Sequence, residues 1–483
     1  MKILHTSDWH IGRSLYGRKR YDEFSTFLNW LIEFIKNENI DVLLVAGDIF
    51  DNTTPSNRAQ QLYYQFLCRV SASCCNDIVI IAGNHDSPSF LNAPKELLRA
   101  LNVHIVGSIS ENLEDQVIVI NDLKSKNYDL KNKEKTEINP KSSIKNFQSK
   151  IKTPQSAIIC AVPYLRDRDI RIAEVGESLE DKKIKLVKGI KNHYAKVCEI
   201  AQKKQKKLLN SQLKILNQKS SNQQSTNEKL IVKNLQSKIP IIAMGHLFAA
   251  GGKTIDKDGV RELYVGSLAY LGIDVFPECI DYLALGHLHV PQKVGKLNHI
   301  RYSGSPIPMG YGEAAQEKSV VIIDFKNFDN PDFSNTNQKS SIKNSQLKIS
   351  NHQLEITLHK VPCFQPLERI SGEINEITQR IAQLKENKSN AWLEIEYTGA
   401  KIASNLKELI DEKVTNTDME VSRIKNKRII EQVLGQTFEN KTLDDLDVND
   451  VFIRLLNAHN VLDHERLELL NSYQETIKIL YEE

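Results

Sequence analysis

Five short apolar segments of this chain each end in side chains that bind metals, and this repetition constrains the fold more than any other feature. The segments and their polar residues are ILHTSDWH (Asp8, His10), VLLVAGD (Asp48), IVIIAGNHD (Asn84, His85, Asp86), IIAMGH (His246) and YLALGHLH (His287, His289). Such apolar runs predict buried strands, and ligands of α/β sheets bind beyond the carboxyl ends of strands. We therefore expect these segments to converge on one site.

The chemistry of these side chains indicates which ions they bind. Imidazole nitrogens mixed with carboxylate and amide oxygens suit Mn²⁺, Fe²⁺ or Zn²⁺, whereas an oxygen-only set suits Mg²⁺ or Ca²⁺. Seven candidate ligands are too many for one ion and sufficient for two, and they are Asp8, His10, Asp48, Asn84, His246, His287 and His289. Two ions roughly 3.5–4 Å apart bind the attacking and leaving oxygens of a phosphoryl group. The sequence therefore predicts phosphoester hydrolysis by two metals.

Each motif taken alone has an ordinary structural explanation. A Gly-Asp pair usually forms a turn, and a histidine after a strand is usually packed in the core or caps the end of an element. All five motifs in this order, each at a strand end, favour a metal site over these explanations. The other histidines, such as His5 and His104, lack this context, so we expect them in the core or on the surface.

The first two thirds of the chain have the pattern of a layered domain. From residue 1 to about 325, short apolar runs alternate with helix-like stretches, which predicts an α/β domain with helices covering a central sheet. Stretches 121–155, 203–238 and 326–352 are rich in Asn, Lys, Ser and Gln and share a repeated element, KSSIKNFQSKI in one and KSSIKNSQLKI in another. We interpret them as solvated surface insertions; DNA binding by their lysines is the alternative.

The last part of the chain predicts two further regions. Residues 353–421 combine a predicted helix with the strand-like AWLEIEYT and indicate a small α+β domain. Residues 422–483 have helical apolar spacing, with Leu467, Leu470 and Tyr473 on one side, and predict a helical tail. Such a tail either packs on its own domain or binds a partner.

Composition limits the setting in which the chain works. Its seven cysteines form no C-x-x-C pair, so we expect reduced thiols. No apolar run approaches the roughly 20 residues of a spanning helix, and the start lacks a signal peptide, which predicts a cytoplasmic protein with no membrane partner.

A net charge of +3 does not decide whether nucleic acid is bound. Arg13, Arg18, Lys19 and Arg20 follow the first motif and either contact DNA or begin a helix.

At these motifs the chain resembles the calcineurin-like metallophosphoesterase superfamily, whose pattern is D-x-H, G-D, G-N-H-[DE], G-H and G-H-x-H. Within it, the chain is similar to the SbcD family of bacterial nuclease subunits. The strings that carry this similarity are HTSDWHIG, VAGDIFD, AGNHDS, DYLALGHLH and YSGSPIP. The resemblance covers nearly the whole chain apart from the insertions. It implies a two-sheet sandwich flanked by helices, with a small capping domain and a helical tail.

The resemblance also implies a role for each residue of the pattern. One metal would be held by Asp8, His10, Asp48 and His289, and the other by Asp48, Asn84, His246 and His287, so that Asp48 bridges the two. His85 would act on the phosphate without binding metal, and Asp86 would orient His85. The metal in the family is typically manganese.

The family's activity and partners follow from the same resemblance. It implies an ATP-dependent exonuclease on double-stranded DNA and a single-strand endonuclease, acting in DNA replication, recombination and repair. It further implies a homodimer joined through residues 55–70 and 88–101, assembled through the tail with two SbcC-type SMC-like ATPase subunits. ATP would bind that partner, because this chain has no G-x-x-x-x-G-K-[ST] loop.

Two other functions fit parts of the pattern. A stand-alone metallophosphatase or cyclic-nucleotide phosphodiesterase would use the same metals on small phosphoesters and would give the tail no role. A non-enzymatic scaffold would only tether the ATPase, but every ligand position is intact.

Overall fold

The computed structural model describes residues 1–121, 156–172, 174, 176–220, 239–249, 271–327, 352–399, 405–426 and a few positions between 452 and 474. The chain divides into two compact units, Met1–Phe364 and Gln365–Glu483. Within the described residues, no helix combines the length and the apolar character needed to cross a membrane. All seven cysteines are free thiols, as the sequence predicted.

Strands and helices alternate through much of both units. In chain order the strands are β1 (Lys2–Thr6), β2 (Ser14–Leu15), β3 (Arg18–Lys19), β4 (Val42–Ala46), β5 (Asp77–Ile81), β6 (Val103–Val106), β7 (Val117–Asn121), β8 (Ser156–Ala161), β9 (Ile241–His246), β10 (Tyr282–Gly286), β11 (Gln292–Val294), β12 (Leu297–Tyr302), β13 (Ser319–Asn327), β14 (His352–Lys360), β15 (Leu367–Gly372), β16 (Trp392–Tyr397) and β17 (Glu420–Asn426). The helices are α1 (Tyr21–Glu38), α2 (Asn57–Ser71), α3 (Pro88–Asn92), α4 (Lys95–Arg99), α5 (Asp167–Ile170), α6 (Leu179–Ser220), α7 (Ile374–Glu386) and α8 (Leu406–Val414).

The first unit contains two six-stranded sheets. The first sheet has the order β14-β13-β1-β4-β5-β6, and the second has the order β11-β12-β10-β9-β8-β7. A shared core of apolar residues lies between the sheets, with Val42 and Ala46 from the first and Met244 and Ala284 from the second. The two-sheet sandwich implied by the family resemblance is therefore confirmed, whereas the pattern of apolar runs had predicted a single central sheet.

Helices cover the outer side of each sheet because their apolar residues recur at helical spacing. On α1, Phe24, Phe27, Leu31 and Ile35 are fully buried against the first sheet, together with residues of α2. The helix ends at Asn39, whose left-handed backbone closes the last turn. On the second sheet, α6 contributes Tyr194, Val197, Cys198 and Ala201 to the core.

Three predicted boundaries differ from the structure. Helix α6 continues to Ser220, inside the predicted insertion 203–238, because Lys, Gln and Leu favour helix and Leu208 and Leu209 pack on the second core. Strand β14 pairs with β13 in the first sheet, so residues 353–364 belong to the first unit and not to the second. Residues 422–426, predicted as helical tail, form strand β17. Insertion residues 122–155, 221–238 and 328–351, and most of the tail, lie outside the described residues.

The second unit is a small domain of strands and helices, as predicted. Strands β15, β16 and β17 form one parallel sheet, and α7 and α8 connect them in turn. Its core includes Ile377, Ile381, Leu393, Ile395 and Ile410. Because parallel strands need crossover connections, helices alternate with strands in this unit.

Candidate metal centre

The carboxyl ends of five strands carry the predicted metal ligands. Strands β1, β4 and β5 run parallel in the first sheet, and β9 and β10 run parallel in the second. The loops after β1, β4 and β5 hold Asp8, His10, Asp48, Asn84 and His85, whereas β9 ends in His246 and the loop after β10 holds His287 and His289. The two sheets therefore bring distant segments to one place, as the sequence predicted.

The seven predicted ligands lie within a few ångströms of one another. His246 Nε2 is 3.0 Å from Asn84 Oδ1 and 3.3 Å from Asp48 Oδ2, and His287 Nδ1 is 3.1 Å from the same Asn84 oxygen. His10 Nε2 is 3.2 Å from His289 Nε2 and 3.6 Å from Asp48 Oδ2. Ligand atoms of Asp8, His10 and His289 lie within 4.8 Å of one another, as do those of Asp8, Asp48 and His246. Asp48 thus contacts histidines from both predicted ligand sets.

Four of these ligands have a left-handed backbone. The φ angles are 53° at Asp8, 48° at His10, 52° at Asp48 and 101° at His287. Residues other than glycine rarely adopt this conformation, and each instance costs roughly 1–3 kcal/mol. Glycine is required beside them at Gly83, where a Cβ atom would collide with the backbone nitrogen and carboxylate of Asp48. The loops are therefore held in a strained geometry that aims these side chains at one point.

Burial and mutual charge shift the pKa values of these groups in opposite directions. Burial lowers the pKa of His287 to about 3 and lowers that of His10 well below its usual value. Burial also opposes protonation of His246, but the nearby Asp48 carboxylate raises its pKa to about 9. His10 and His287 are therefore neutral near pH 7 and have nitrogen lone pairs available for a metal.

Two families of known proteins match this chain. Residues 1–291 match the calcineurin-like phosphoesterases, and residues 363–460 match the type 5 capsule protein repressor C-terminal domain. The first match includes all seven of the converging ligands.

The chain belongs to the calcineurin-like phosphoesterase family. As a member of that family it is a metal-dependent phosphodiesterase. Among its curated relatives, the SbcD subunit of nuclease SbcCD from Escherichia coli strain K12 is 28% identical over 99% of this chain and 98% of its own length. The SbcD subunits from Rhodobacter capsulatus and Bacillus subtilis are 31% and 29% identical, over 67% and 68% of this chain and 66% of their own lengths.

The donor atoms of this phosphoesterase fit divalent metals. His246 Nδ1 donates to the Ala46 carbonyl at 2.9 Å, so Nε2 faces the oxygens of Asn84 and Asp48 and would offer its lone pair to a metal that replaces the proton there. His289 Nδ1 likewise lies 2.9 Å from Glu313 Oε1, which leaves its Nε2 lone pair facing His10. These nitrogen and oxygen atoms converge on shared positions, where a divalent cation would accept lone pairs from several of them at once. Mixed nitrogen and oxygen donors suit Mn²⁺, Fe²⁺ or Zn²⁺.

His85 and Asp86 lie beside the ligands, but they contact different partners from those predicted. His85 Nδ1 donates to the Asp51 carbonyl at 2.7 Å, and its ring stands perpendicular to that of His10 at 4.8 Å. The Asp86 carboxylate instead accepts three backbone N–H groups, from Ile49 at 3.1 Å, Phe50 at 3.0 Å and Gly83 at 2.8 Å. The predicted role of Asp86 is therefore corrected: it ties the loop after β4 to the loop after β5, and Asp51 orients His85.

Two of the four basic residues after the first motif, Arg13 and Arg20, are paired with other residues of the fold. Arg20 is buried and makes two hydrogen bonds to Glu23, at 2.7 and 3.0 Å. Arg13 bonds to Asp51 at 3.1 Å and to the Met309 carbonyl at 3.2 Å. The suggestion that Arg20 contacts DNA is wrong because its side chain is inaccessible.

Sequence reasoning missed two polar residues of the site. Asp51, in the string VAGDIFD, has a ligand atom within 4.8 Å of those of His10 and His85, and its position three residues after Asp48 was the available signal. Glu313 is fully buried behind His289, where burial would raise its pKa but Lys318 and the His289 hydrogen bond lower it to about 2. Nothing local in its sequence, YGEAAQEK, distinguishes it from a surface acid.

Proposed function

We propose that this phosphoesterase is the nuclease subunit of an SbcCD-type complex and hydrolyses DNA phosphodiester bonds with two metal ions, most favourably Mn²⁺. The observation that carries the proposal is similarity over 99% of the chain to a protein named as the SbcD subunit of nuclease SbcCD, combined with the convergence of all seven ligands. A small-phosphoester hydrolase would need only the first unit, which holds the ligands, whereas the similarity extends over both units.

The two metal positions use the residues already described. Asp8, His10, Asp48 and His289 would hold one ion, and Asp48, Asn84, His246 and His287 the other. Ions held there would supply Lewis acidity at the phosphoryl oxygens and would lower the pKa of a bound water. Asp48 suits the bridging position because its Oδ2 lies 3.6 Å from His10 Nε2 and 3.3 Å from His246 Nε2.

His85 is the proposed group that moves a proton. Because the Asp51 carbonyl can only accept, Nδ1 of His85 carries a proton and its tautomer is fixed. Nε2 is then the atom that gains a proton and delivers it to the leaving oxygen, or stabilises negative charge on the phosphate. Asp86 supports this role indirectly by holding the loop on which His85 lies.

The proposed partners are DNA, a second copy of the chain and two SbcC-type SMC-like ATPase subunits, assembled in the cytoplasm. Leu97 on α4 and Leu101 just beyond it are 75% and 40% exposed, which supports dimerisation through residues 88–101 together with 55–70. Lys19 is exposed on the β2–β3 hairpin, which supports contact between the basic stretch and DNA phosphates. Docking of the ATPase on residues 422–483 is inferred from the helical apolar spacing of that segment and from the family resemblance.

A cleavage assay tests the proposal against the small-phosphoester alternative. Purified full-length protein is incubated with Mn²⁺ and end-labelled hairpin or blunt duplex DNA, with and without the ATPase partner and ATP, and with bis(p-nitrophenyl) phosphate in parallel. We expect degradation of both DNAs that chelation abolishes and that ATP stimulates when the ATPase is present. Turnover of the small ester with no cleavage of either DNA would contradict the proposal and support a phosphatase.

A further inference from the structure

Glu313 is a fully buried carboxylate whose two oxygens have separate partners. Oε1 accepts from His289 Nδ1 at 2.9 Å. Oε2 accepts from Ser305 Oγ and from the Met309 backbone nitrogen, both at 3.1 Å, and forms a short ion pair with Lys318. Oε1 therefore faces the candidate ligand His289, and Oε2 is held by Ser305, Met309 and Lys318.

Lys318 also holds the backbone of the same histidine. Its ammonium group, almost completely buried, donates to the His289 carbonyl at 3.1 Å and to Ser305 Oγ at 2.9 Å. The Glu313–Lys318 pair thus contacts His289 at both its ring and its main chain. Apolar residues of similar volume often replace buried ion pairs at no loss of stability, so packing alone does not require this pair.

We propose that Glu313 is a positioning residue for His289, with Lys318 countering the charge of Glu313. A carboxylate accepts from Nδ1–H of the imidazole, so the lone pair at Nε2 is turned toward Asp8 and His10. The carboxylate also makes the imidazole a stronger donor to metal. This inference rests on the proposed function of His289 as a ligand, and it concerns only one of the two metal positions.

Glu313→Gln tests the inference because Lys318 dictates how the new amide is oriented. The amide oxygen must face Lys318 and the Met309 N–H, so its NH₂ group faces His289 Nδ1 and forces the proton to Nε2. Glu313→Leu/Lys318→Met keeps the volume but offers His289 no acceptor.

The matched control is Glu394→Gln in the second unit. Glu394 is also fully buried between two cations, with Arg369 Nε at 2.6 Å and Lys425 Nζ at 2.5 Å. It resembles Glu313 in burial and charge pairing but contacts none of the candidate ligands in the described contacts. Glu394→Gln therefore measures how the loss of a buried ion pair changes the folding of the protein, separately from any effect on the metal centre.

Mn²⁺ binding by full-length protein, followed by electron paramagnetic resonance of the free ion, is the primary readout. We expect two tight ions in the wild type and in Glu394→Gln, and one ion weakened about 10–100-fold in Glu313→Gln and in Glu313→Leu/Lys318→Met. Apparent KM for Mn²⁺ with bis(p-nitrophenyl) phosphate should rise in the same two variants, with a smaller change in kcat at saturating metal.

Two results separate the inference from the proposed function. If the wild type binds two ions and Glu313→Gln or the Leu/Met variant binds both with equal affinity, the positioning role is refuted and the two-metal proposal stands. If the wild type binds no Mn²⁺, the two-metal proposal itself fails. Should Glu313→Gln not fold, as judged by circular dichroism, Glu313→Leu/Lys318→Met decides, and Mn²⁺ affinity equal to that of the wild type at both positions would refute the inference.

Discussion

The first sheet supplies every oxygen donor of the proposed metal centre, and the second sheet supplies only imidazoles. Asp8, Asp48 and Asn84 follow strands of the first sheet, whereas His246, His287 and His289 come from the second. The first sheet also carries the negative charge that raises the pKa of His246 across the boundary between the sheets. Neither sheet holds a complete donor set, so the centre exists only where the sheets are packed together.

Asp48→Ala is the largest perturbation because it removes the carboxylate proposed to be shared by both ligand sets, whose Oδ2 lies 3.6 Å from His10 Nε2 and 3.3 Å from His246 Nε2. We expect Mn²⁺ binding to fall below detection and hydrolysis to fall by at least about a thousandfold. Metal titration and the bis(p-nitrophenyl) phosphate assay measure both effects. If Asp48→Ala still bound two Mn²⁺ ions tightly, the proposal that the first sheet supplies the negative charge shared by both ions would be wrong.

His85→Ala tests a residue of the first sheet that binds no metal in the proposed mechanism. We expect normal Mn²⁺ stoichiometry and a fall in DNA cleavage of about 10²–10⁴-fold, because proton transfer is lost. His104→Ala is the control, since His104 is paired with Asp77 at 2.8 Å in the same sheet but lies outside the centre. Normal cleavage by His85→Ala would contradict the assigned role.

Asp86→Asn tests how the loops of the first sheet are held. The amide cannot accept all three backbone N–H groups with the strength of a carboxylate, so we expect the free energy of unfolding to fall by about 2–3 kcal/mol. Urea denaturation measures this change. An unaltered free energy of unfolding would show that the loops after β4 and β5 are fixed by other contacts.

Tyr282→Phe probes the contact between the sheets without touching a ligand. His5 of β1 lies between Tyr282 Oη at 3.0 Å and the Leu285 carbonyl at 3.2 Å, both on β10. Losing the hydroxyl leaves a buried ring nitrogen of His5 without that partner and should cost about 1 kcal/mol. Urea unfolding measures the loss, and an equal loss of Mn²⁺ affinity would indicate that sheet packing and metal binding are coupled more tightly than we expect.

The sequence predicted the ligands better than their surroundings because strand ends and glycines are local signals. Asp8, His10 and Asp48 could be found from short strings, and parallel strands were enough to predict that they meet. Glu313 could not be found, because its role depends on a contact with His289, 24 residues earlier in the chain. Asp86 was given the wrong partner for the same reason: three amides on two loops compete for its carboxylate, and sequence order does not show which contact prevails.

The predicted boundaries of elements and domains were wrong where the composition of a segment indicated one structure and its helix formation or strand pairing produced another. Lys-rich and Gln-rich residues after position 203 look solvated, yet the same residue types extend α6 to Ser220. Residues 352–360 were separated from β13 by a long polar stretch, and only antiparallel pairing in the first sheet assigns them to the first unit. The roles of the site residues and the identity of the partners remain predictions, which the experiments above test.

Four candidate ligands have a left-handed backbone, which lowers the stability of the fold at the positions where catalysis needs their side chains. They are Asp8, His10, Asp48 and His287. Glycine adopts this conformation without steric penalty, so replacing one of these residues by glycine would relieve backbone strain while removing a ligand. Selection for a more thermostable variant would therefore favour changes that inactivate the enzyme. A screen for stability alone should enrich such changes, and a combined screen for stability and cleavage should eliminate them.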